Sequence, residues 1–347
     1  MKNRWKKFPG WIGTGLITVL NAIWLYWGLG EAFYEGWGVP DTPWILFLSI
    51  GLAAMLFSVI AILFPYIGGS VLIASGAAFA IWWLIPAIRS GFYTFSVLIE
   101  RLFLSGGFTL VGILFILDGK FRKKSLNQQK PWLLKNLRLL IAIGIPLLIG
   151  LVVAGVNLPT VLTRIDDGNR SVRLIEGKDV TLIWAPEGPG WNWKQDFGGY
   201  PSWNALALYG SNPVGIDKDQ ESYGQASSED MQTTGLCAFL SEDGSYLSSE
   251  PQNIWRLPTV EEIAQTLSQD NENAGCIWDG VNDRLSCKVR PDKETPLWAP
   301  DEPPVYYWAA SEKDDSNAYY VSYTGWVGYQ PKNWGNPRHG YRCVKDP

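Results

Sequence analysis

The sequence predicts a two-part membrane protein, in which five transmembrane helices are followed by a mixed helix-and-strand domain outside the cytoplasm. The first reason is charge, because residues 1–157 contain 13 Lys and Arg against 5 Asp and Glu, whereas residues 158–347 contain 16 against 28. The second reason is composition: the first part consists mostly of long apolar runs, and the second is polar and rich in Gly, Pro and Trp. The two parts are therefore suited to different environments.

Five apolar runs are long enough, or nearly so, to cross a bilayer as helices, which takes about 20 residues. They lie near residues 11–29, 42–64, 66–88, 97–117 and 137–156. Glu100 and Arg101 lie near the outer end of the fourth run, where charged side chains can reach the interface. On the third run, Ser70, Ala74 and Ala78 are four residues apart and predict a face for close helix packing.

Basic residues in the short loops predict the orientation of the spans. If the five spans alternate, eleven basic residues fall on one side and only Arg89 and Arg101 on the other. The eleven are Lys2, Arg4, Lys6, Lys7, Lys120, Arg122, Lys123, Lys124, Lys130, Lys135 and Arg138. We therefore expect a multi-pass protein of the cell membrane with a cytoplasmic N-terminus and an extracytoplasmic C-terminal domain. The basic loops are expected to contact anionic membrane lipid.

Composition argues against several functional classes. The five runs lack the buried Asp, Glu, Lys or His of a pump or coupled transporter. A net charge of −12 on residues 158–347 argues against nucleic acid as a partner, because phosphate binding requires the opposite charge. His339 is the only histidine and no C-x-x-C pair is present, which argues against a zinc site. We expect neither a metal nor a cofactor, and we expect His339 at the surface beside a strand.

The outer part divides into a short connector, residues 158–179, and a domain over residues 180–347. Turn residues and apolar periodicity predict helices over 202–209, 229–240 and from 259 to about 268. They predict strands over 180–184, 305–309, 318–323, 326–329 and 341–344, with a long irregular region from 270 to 304. The third helix has its own start signal, because Thr259 and Glu262 are spaced for the reciprocal hydrogen bonds of a capping box.

All four cysteines lie in the outer domain, and an even number in an oxidising compartment predicts two disulfides. Three pairings are possible. We favour Cys276–Cys287, which closes a short loop in the irregular region, and Cys237–Cys343, which ties a helix to the last strand. The second bond would close a loop of about 100 residues and contribute up to about 4–5 kcal/mol of stability in the chain-entropy model.

Several short motifs in the outer domain together resemble one protein superfamily. The motifs are Leu182–Trp184, Ser202–Ala207, Trp255–Glu262, Tyr307–Glu312, Ala318–Val321 and Gly340–Val344. Their order over residues 180–347 resembles formylglycine-generating-enzyme-like (sulfatase-modifying factor) domains and the Lcl C-terminal-like domains. This resemblance implies an α+β C-type-lectin-like fold, in which the first and last strands pair and two helices flank a small twisted sheet. It also supports the Cys237–Cys343 bridge.

The sequence departs from the active members of that superfamily. The oxidase uses a second cysteine five residues before the position of Cys343, and Arg338 stands there. Related iron-dependent sulfoxide synthases need several histidines. In Gln330-Pro331-Lys332-Asn333 a lysine occupies the place of the calcium-binding carboxylate of C-type lectins. We therefore predict a domain without catalytic residues.

The segment before the last strand contains the candidate ligand-binding residues Trp326, Tyr329, Asn333 and Trp334. If exposed, they would form an aromatic surface with an amide donor, suited to a carbohydrate or a protein ligand. The alternative is that these aromatic residues fill the core. The leading hypothesis is a membrane-anchored, non-catalytic domain for recognition of such a ligand. Two alternatives are a surface enzyme of the formylglycine-generating or a related type, and a subunit whose spans dock into a larger membrane complex.

Overall fold

A computed structural model of the chain describes residues 8–36, 44–90, 95–121, 132–191, 201–211, 214–215, 225–336 and 338–347. The chain divides into two compact units. The helical unit comprises the N-terminal helices up to Pro159, and the outer unit extends from Thr160 to Pro347. This boundary lies close to the change in charge and composition at residue 157.

The described residues before the outer unit's first strand form six helices. They are α1 (Phe8–Glu31), α2 (Trp44–Leu63), α3 (Pro65–Phe79), α4 (Ile85–Ser90), α5 (Phe95–Phe121) and α6 (Trp132–Leu162), with π-helical turns at Ala32–Gly36 and Ala80–Leu84. In this described part of the chain, five stretches are long and apolar enough to cross a membrane by length and composition. They are Phe8–Glu35, Ile45–Leu63, Pro65–Leu84, Arg101–Phe121 and Asn136–Leu162. These match the five predicted runs in number and order.

Helices α3 and α5 pack closely through glycines. A Cβ atom added to Gly69 would lie 2.7 Å from the carbonyl oxygen of Gly112, and one added to Gly112 would lie 2.6 Å from that of Gly69. The predicted packing face was wrong, because Ser70, Ala74 and Ala78 are exposed on the helical unit. The backbones approach where no side chain intervenes, so glycine rather than the Ser and Ala stripe marks the contact.

A buried ion pair contradicts the expectation that these helices lack an interior acid. Helix α5 continues past the predicted end at residue 117, and Asp118 is 4% exposed. Its carboxylate accepts a 2.8 Å hydrogen bond from the guanidinium of Arg138 on α6. The same guanidinium donates to the hydroxyl of Thr14 (2.8 Å) and to the carbonyl oxygen of Gly10 (2.7 Å) on α1. One arginine therefore connects three helices. This pair escaped the sequence prediction because Asp118 lies just beyond the predicted end of the fourth run.

The outer unit combines short helices and strands. In chain order these are β1 (Arg173–Glu176), β2 (Thr181–Trp184), α7 (Trp203–Ala207), α8 (Ser228–Thr233), a 3₁₀ turn (Leu236–Phe239), α9 (Val260–Thr266), β3 (Ser268–Gln269), β4 (Glu272–Asn273), β5 (Tyr306–Asp314), β6 (Asn317–Ser322), β7 (Val327–Pro331), β8 (His339–Gly340) and β9 (Val344–Lys345). The predicted helices are present but shorter. Strand β1 lies in the segment predicted to be only a connector, because its residues pair along β2.

Two main sheets organise the outer unit. The first has the order β1-β2-β9 and is antiparallel, with Trp184 opposite Val344. The second has the order β7-β6-β5-β8, in which β8 is parallel to β5 and His339 lies opposite Tyr306. Strands β3 and β4 form a separate hairpin. The first and last strands of the predicted domain thus pair with each other.

The predicted helix start at α9 is confirmed. The Thr259 hydroxyl accepts from the Glu262 backbone N–H (3.3 Å), and the Glu262 carboxylate accepts from the Thr259 N–H (2.8 Å). That carboxylate also receives two hydrogen bonds, of 2.7 and 2.6 Å, from Arg256, which in addition pairs with Asp346 near the chain end. The capping box therefore joins a helix start to the last strand.

Both cysteine pairs are at bonding distance in the favoured pairing. The S–S distance is 2.01 Å for Cys237–Cys343 and for Cys276–Cys287. The first pair lies inside the main core of the outer unit, with Trp203, Trp255 and Trp308 among its buried members. Much of the domain's tryptophan is therefore structural.

Substitution of Asp118 by Asn should destabilise the helical unit. The variant leaves the Arg138 guanidinium without a carboxylate partner, and removal of one member of a buried ion pair typically costs about 3 kcal/mol. Thermal unfolding of the full chain in lipid nanodiscs measures this loss. Leu148→Ala, at a 61% exposed position of α6, is the matched control. An unchanged midpoint for Asp118→Asn would show that the pair contributes nothing to stability.

Candidate functional site

All four predicted ligand-binding residues are exposed. The exposed fractions are 36% for Trp326, 50% for Tyr329 and 41% for Trp334, and Asn333 is exposed between the last two. None of these side chains belongs to the core cluster of the outer unit. The alternative that they fill the core therefore does not hold.

Trp326 and Trp334 lie against one group of rings, so we call this pair the tryptophan platform. The centroid of Trp326 is 6.5 Å from that of Tyr306 and 5.8 Å from that of Tyr320. Trp334 is 5.6 Å from His339, which in turn is 4.9 Å from each of these two tyrosines. The two exposed tryptophans thus share a single supporting layer.

Tyr329 lies on the opposite face of the sheet. In β7 a Cβ atom added to Gly328 would lie 2.4 Å from the Tyr320 hydroxyl, so Gly328 faces the same side as Tyr320 and Trp326. Successive strand residues point to opposite faces. Tyr329 accordingly pairs across the strands with Tyr319 and lies under the ammonium of Lys313, 3.0 Å from the ring centroid. The predicted four-residue surface is therefore divided.

The turn after β7 is held by a buried lysine. Lys332 is 1% exposed, and its ammonium donates to the carbonyl oxygen of Ala226 and to the carboxylate of Glu312, both at 2.6 Å. It also lies 5.0 Å from the ring centroid of Trp203. An inward ammonium with two acceptors fixes the turn. The exposed Asn333 and Trp334 follow directly after it.

A disulfide loop borders the platform at Trp326. Cys276 and Cys287 close this loop, and Arg284 within it forms a backbone bridge to Trp326. The Leu285 N–H also donates to the carbonyl oxygen of Gly325 (2.9 Å). The loop holds a shallow cavity of about 420 Å³. Its lining residues are Ile277, Asp279, Asn282, Asp283, Arg284, Leu285 and Ser286. This cavity therefore lies in the loop that pairs with Trp326.

His339 is buried, contrary to the expectation that it lies at the surface. It is 1% exposed because β8 places it beside β5, where the ring of Trp308 is 4.8 Å away. Neither ring nitrogen has a hydrogen-bond partner among the described residues. Burial away from water disfavours the charged form and lowers the pKa of His339 to about 3. The imidazole is neutral at physiological pH.

The pairing of the cysteines is relevant to the alternative hypothesis of a formylglycine-generating-type enzyme, which requires free thiols. All four are paired, so Cys343 is bonded to Cys237 and offers no thiolate. Arg338, five residues before Cys343, donates to the carbonyl oxygen of Pro303. No group of three or more His, Cys, Asp or Glu residues suited to a metal ion occurs in the described part of the chain.

The sequence predicted one exposed surface that contains Trp326, Trp334 and Tyr329, whereas Tyr329 lies on the opposite face of the sheet. The spacing of three residues between Trp326 and Tyr329 was a usable signal, because an odd spacing places two residues on opposite faces of a strand. His339 had no such signal. Its burial depends on the parallel pairing of β8 with β5, which joins segments far apart in sequence.

Comparison with known proteins adds no assignment, since no protein-family profile, curated protein or solved structure matches this chain.

Acid should destabilise the outer unit through His339. The folded-state pKa of about 3 lies below the ordinary value of 6.5, so this contribution to stability is complete above pH 6.5 and is lost as the pH falls toward 3. Between pH 7 and pH 4.5 the loss is about 2.5 kcal/mol, because the slope reaches roughly 1.4 kcal/mol per pH unit only below pH 6.

Denaturant unfolding of the full chain at pH 7 and pH 4.5, followed by tryptophan fluorescence, checks this dependence. His339→Phe should show a weaker loss than the wild type, because it has no imidazole to protonate. The interval from pH 7 to pH 4.5 lies above the pH range in which protonation of Asp167 lowers the stability. The pairing of Asp167 with Arg173 lowers its pKa to about 2. Equal losses in the two proteins would contradict the assignment.

Proposed function

We propose that this protein is a multi-pass membrane protein that displays a disulfide-stabilised, C-type-lectin-like domain outside the cytoplasm. In this proposal the tryptophan platform binds a ligand, and the domain performs no catalysis. The observation that carries the proposal is the pair Trp326 and Trp334, exposed together on one supporting layer of rings. Tryptophan that a core does not require is typical of recognition surfaces.

Membrane anchoring and orientation are supported by two features. Five stretches have the length and apolar composition of spans. The basic residues of the short loops are concentrated between the fourth and fifth spans and before the first, which favours a cytoplasmic position for both regions. With five spans, a cytoplasmic N-terminus places the outer unit on the other side.

The lectin-like assignment is supported by two links between the last residues of the outer unit and earlier parts of it. Strand β2 pairs with β9 near the chain end, and Cys237 is joined to Cys343 just before β9. The resemblance implies both features. The capping box of α9 lies in another of the resembling motifs and is tied to the chain end through Arg256. Such a scaffold positions a site on strands and short turns rather than on long loops.

Ligand binding should depend on the platform and not on the opposite face. We expect Trp326→Ala and Trp334→Ala each to weaken binding by about tenfold or more, as for central aromatic residues of interfaces. The full chain in lipid nanodiscs, applied to glycan and peptide arrays, measures the loss. Tyr329→Ala is the matched control, because it removes a more exposed aromatic ring from the other face. An array profile that survives both tryptophan substitutions would remove the platform from the proposal.

The orientation of the spans can be measured separately. Reporter fusions placed after residue 124 and after residue 347 should report opposite sides of the membrane, cytoplasmic for the first and extracytoplasmic for the second. A fusion after residue 36 should agree with the second, because it follows the first span. Identical signals from positions 124 and 347 would refute the five-span topology.

A further inference from the structure

A buried polar residue with no hydrogen-bond partner among the described residues lies next to the tryptophan platform. His339 is surrounded by the rings of Tyr306, Trp308 and Tyr320 at centroid distances of 4.8 to 4.9 Å. Trp334, with 41% of its surface exposed, is a further neighbour at a centroid distance of 5.6 Å. The buried imidazole therefore lies next to an exposed ring of the platform.

The burial of His339 is unfavourable for the fold alone. Buried polar atoms in proteins are nearly always hydrogen-bonded, and each one left without a partner costs free energy. Both nitrogens of His339 lack a partner among the described residues. A phenyl ring would fill the same aromatic surroundings without that cost. The imidazole is therefore better explained by a partner that arrives with the ligand.

The chemistry of the site selects the class of ligand. A neutral imidazole presents one N–H donor and one acceptor nitrogen on different edges of the ring, which matches a ligand with two hydroxyl groups, one that accepts and one that donates. It does not favour a carboxylate or phosphate, because the ring carries no positive charge. The flat faces of Trp326 and Trp334 suit a ligand with apolar C–H surface between its hydroxyls. A carbohydrate combines these properties, whereas a peptide side chain seldom offers adjacent hydroxyls.

We propose that His339 is the buried hydrogen-bonding floor of a carbohydrate site, and that Trp334 turns aside to let a sugar hydroxyl reach the imidazole. The proposal rests on the proposed function, because it assigns the ligand class of the same platform. Exposed side chains change rotamer readily, so the opening requires no movement of the sheet. The site needs no calcium ion, consistent with the inward orientation of Lys332.

The single histidine of the chain makes a direct test possible. The full chain is labelled with ¹⁵N-histidine, placed in lipid nanodiscs without sugar detergents, and titrated with cellotriose, chitotriose or maltotriose. We expect at least one trisaccharide to shift both imidazole nitrogen resonances in a saturable manner. The spectrum without sugar should remain that of a neutral ring from pH 7 to pH 5.

Two variants separate the role of His339 from the role of the platform. His339→Phe should weaken trisaccharide binding by about tenfold, the effect of one lost hydrogen bond of typical strength. The same variant should no longer distinguish the sugar from an analogue lacking the contacted hydroxyl, a change that loss of packing alone does not produce. Trp334→Ala should weaken both sugars equally.

The outcomes distinguish this proposal from the proposed function. If a trisaccharide binds with dependence on Trp334 but leaves the imidazole resonances unchanged, His339 is not part of the site and this inference is wrong. If none of the three binds while Trp334-dependent binding to peptides is retained, the carbohydrate assignment is wrong and the platform stands. If Trp326→Ala and Trp334→Ala change no binding of any kind, the proposed function fails as well.

Discussion

The arrangement of the outer unit depends on the packing of its last residues, because this segment joins the two sheets. Strand β8 adds to β5 in one sheet, and β9 adds to β2 in the other. Tyr341, Arg342 and Cys343 connect them, and each is fully buried. The Arg342 guanidinium lies 3.6 Å from the ring centroid of Trp191, and Cys343 is bonded to Cys237. A connection this short and this buried fixes where both strands lie.

The geometry of the candidate site depends on this buried connection between β8 and β9. Strand β8 has only two residues, so its position is set by its neighbours rather than by its own propensity. Placed beside Tyr306, it brings His339 next to Trp334, while the inward ammonium of Lys332 holds the turn that presents this tryptophan. The platform is thus exposed at its surface and fixed at its base, which is the arrangement expected of a preorganised binding site.

The helical unit is held together by different means. Its surface is largely apolar, so the contacts that specify packing are the close glycine approach of Gly69 to Gly112 and the ion pair of Asp118 with Arg138. Polar and small residues have this role in membrane helices, because apolar side chains pack equally well against lipid. The exposed stripe of Ser70, Ala74 and Ala78 shows that small residues alone do not identify the interface.

The sequence by itself determined the division into two units, the five apolar stretches and the capping box at Thr259, because each depends on composition or on residues close in the chain. It favoured, but did not determine, the cysteine pairing that the structure shows. The number of tryptophans indicated that some are exposed, and the structure decided that Trp326 and Trp334 are among them. Only the tertiary structure decided that Asp118 is buried, and that His339 lies beside Trp334 without a hydrogen-bond partner among the described residues. Each of these depends on contacts between distant segments, which local pattern does not encode.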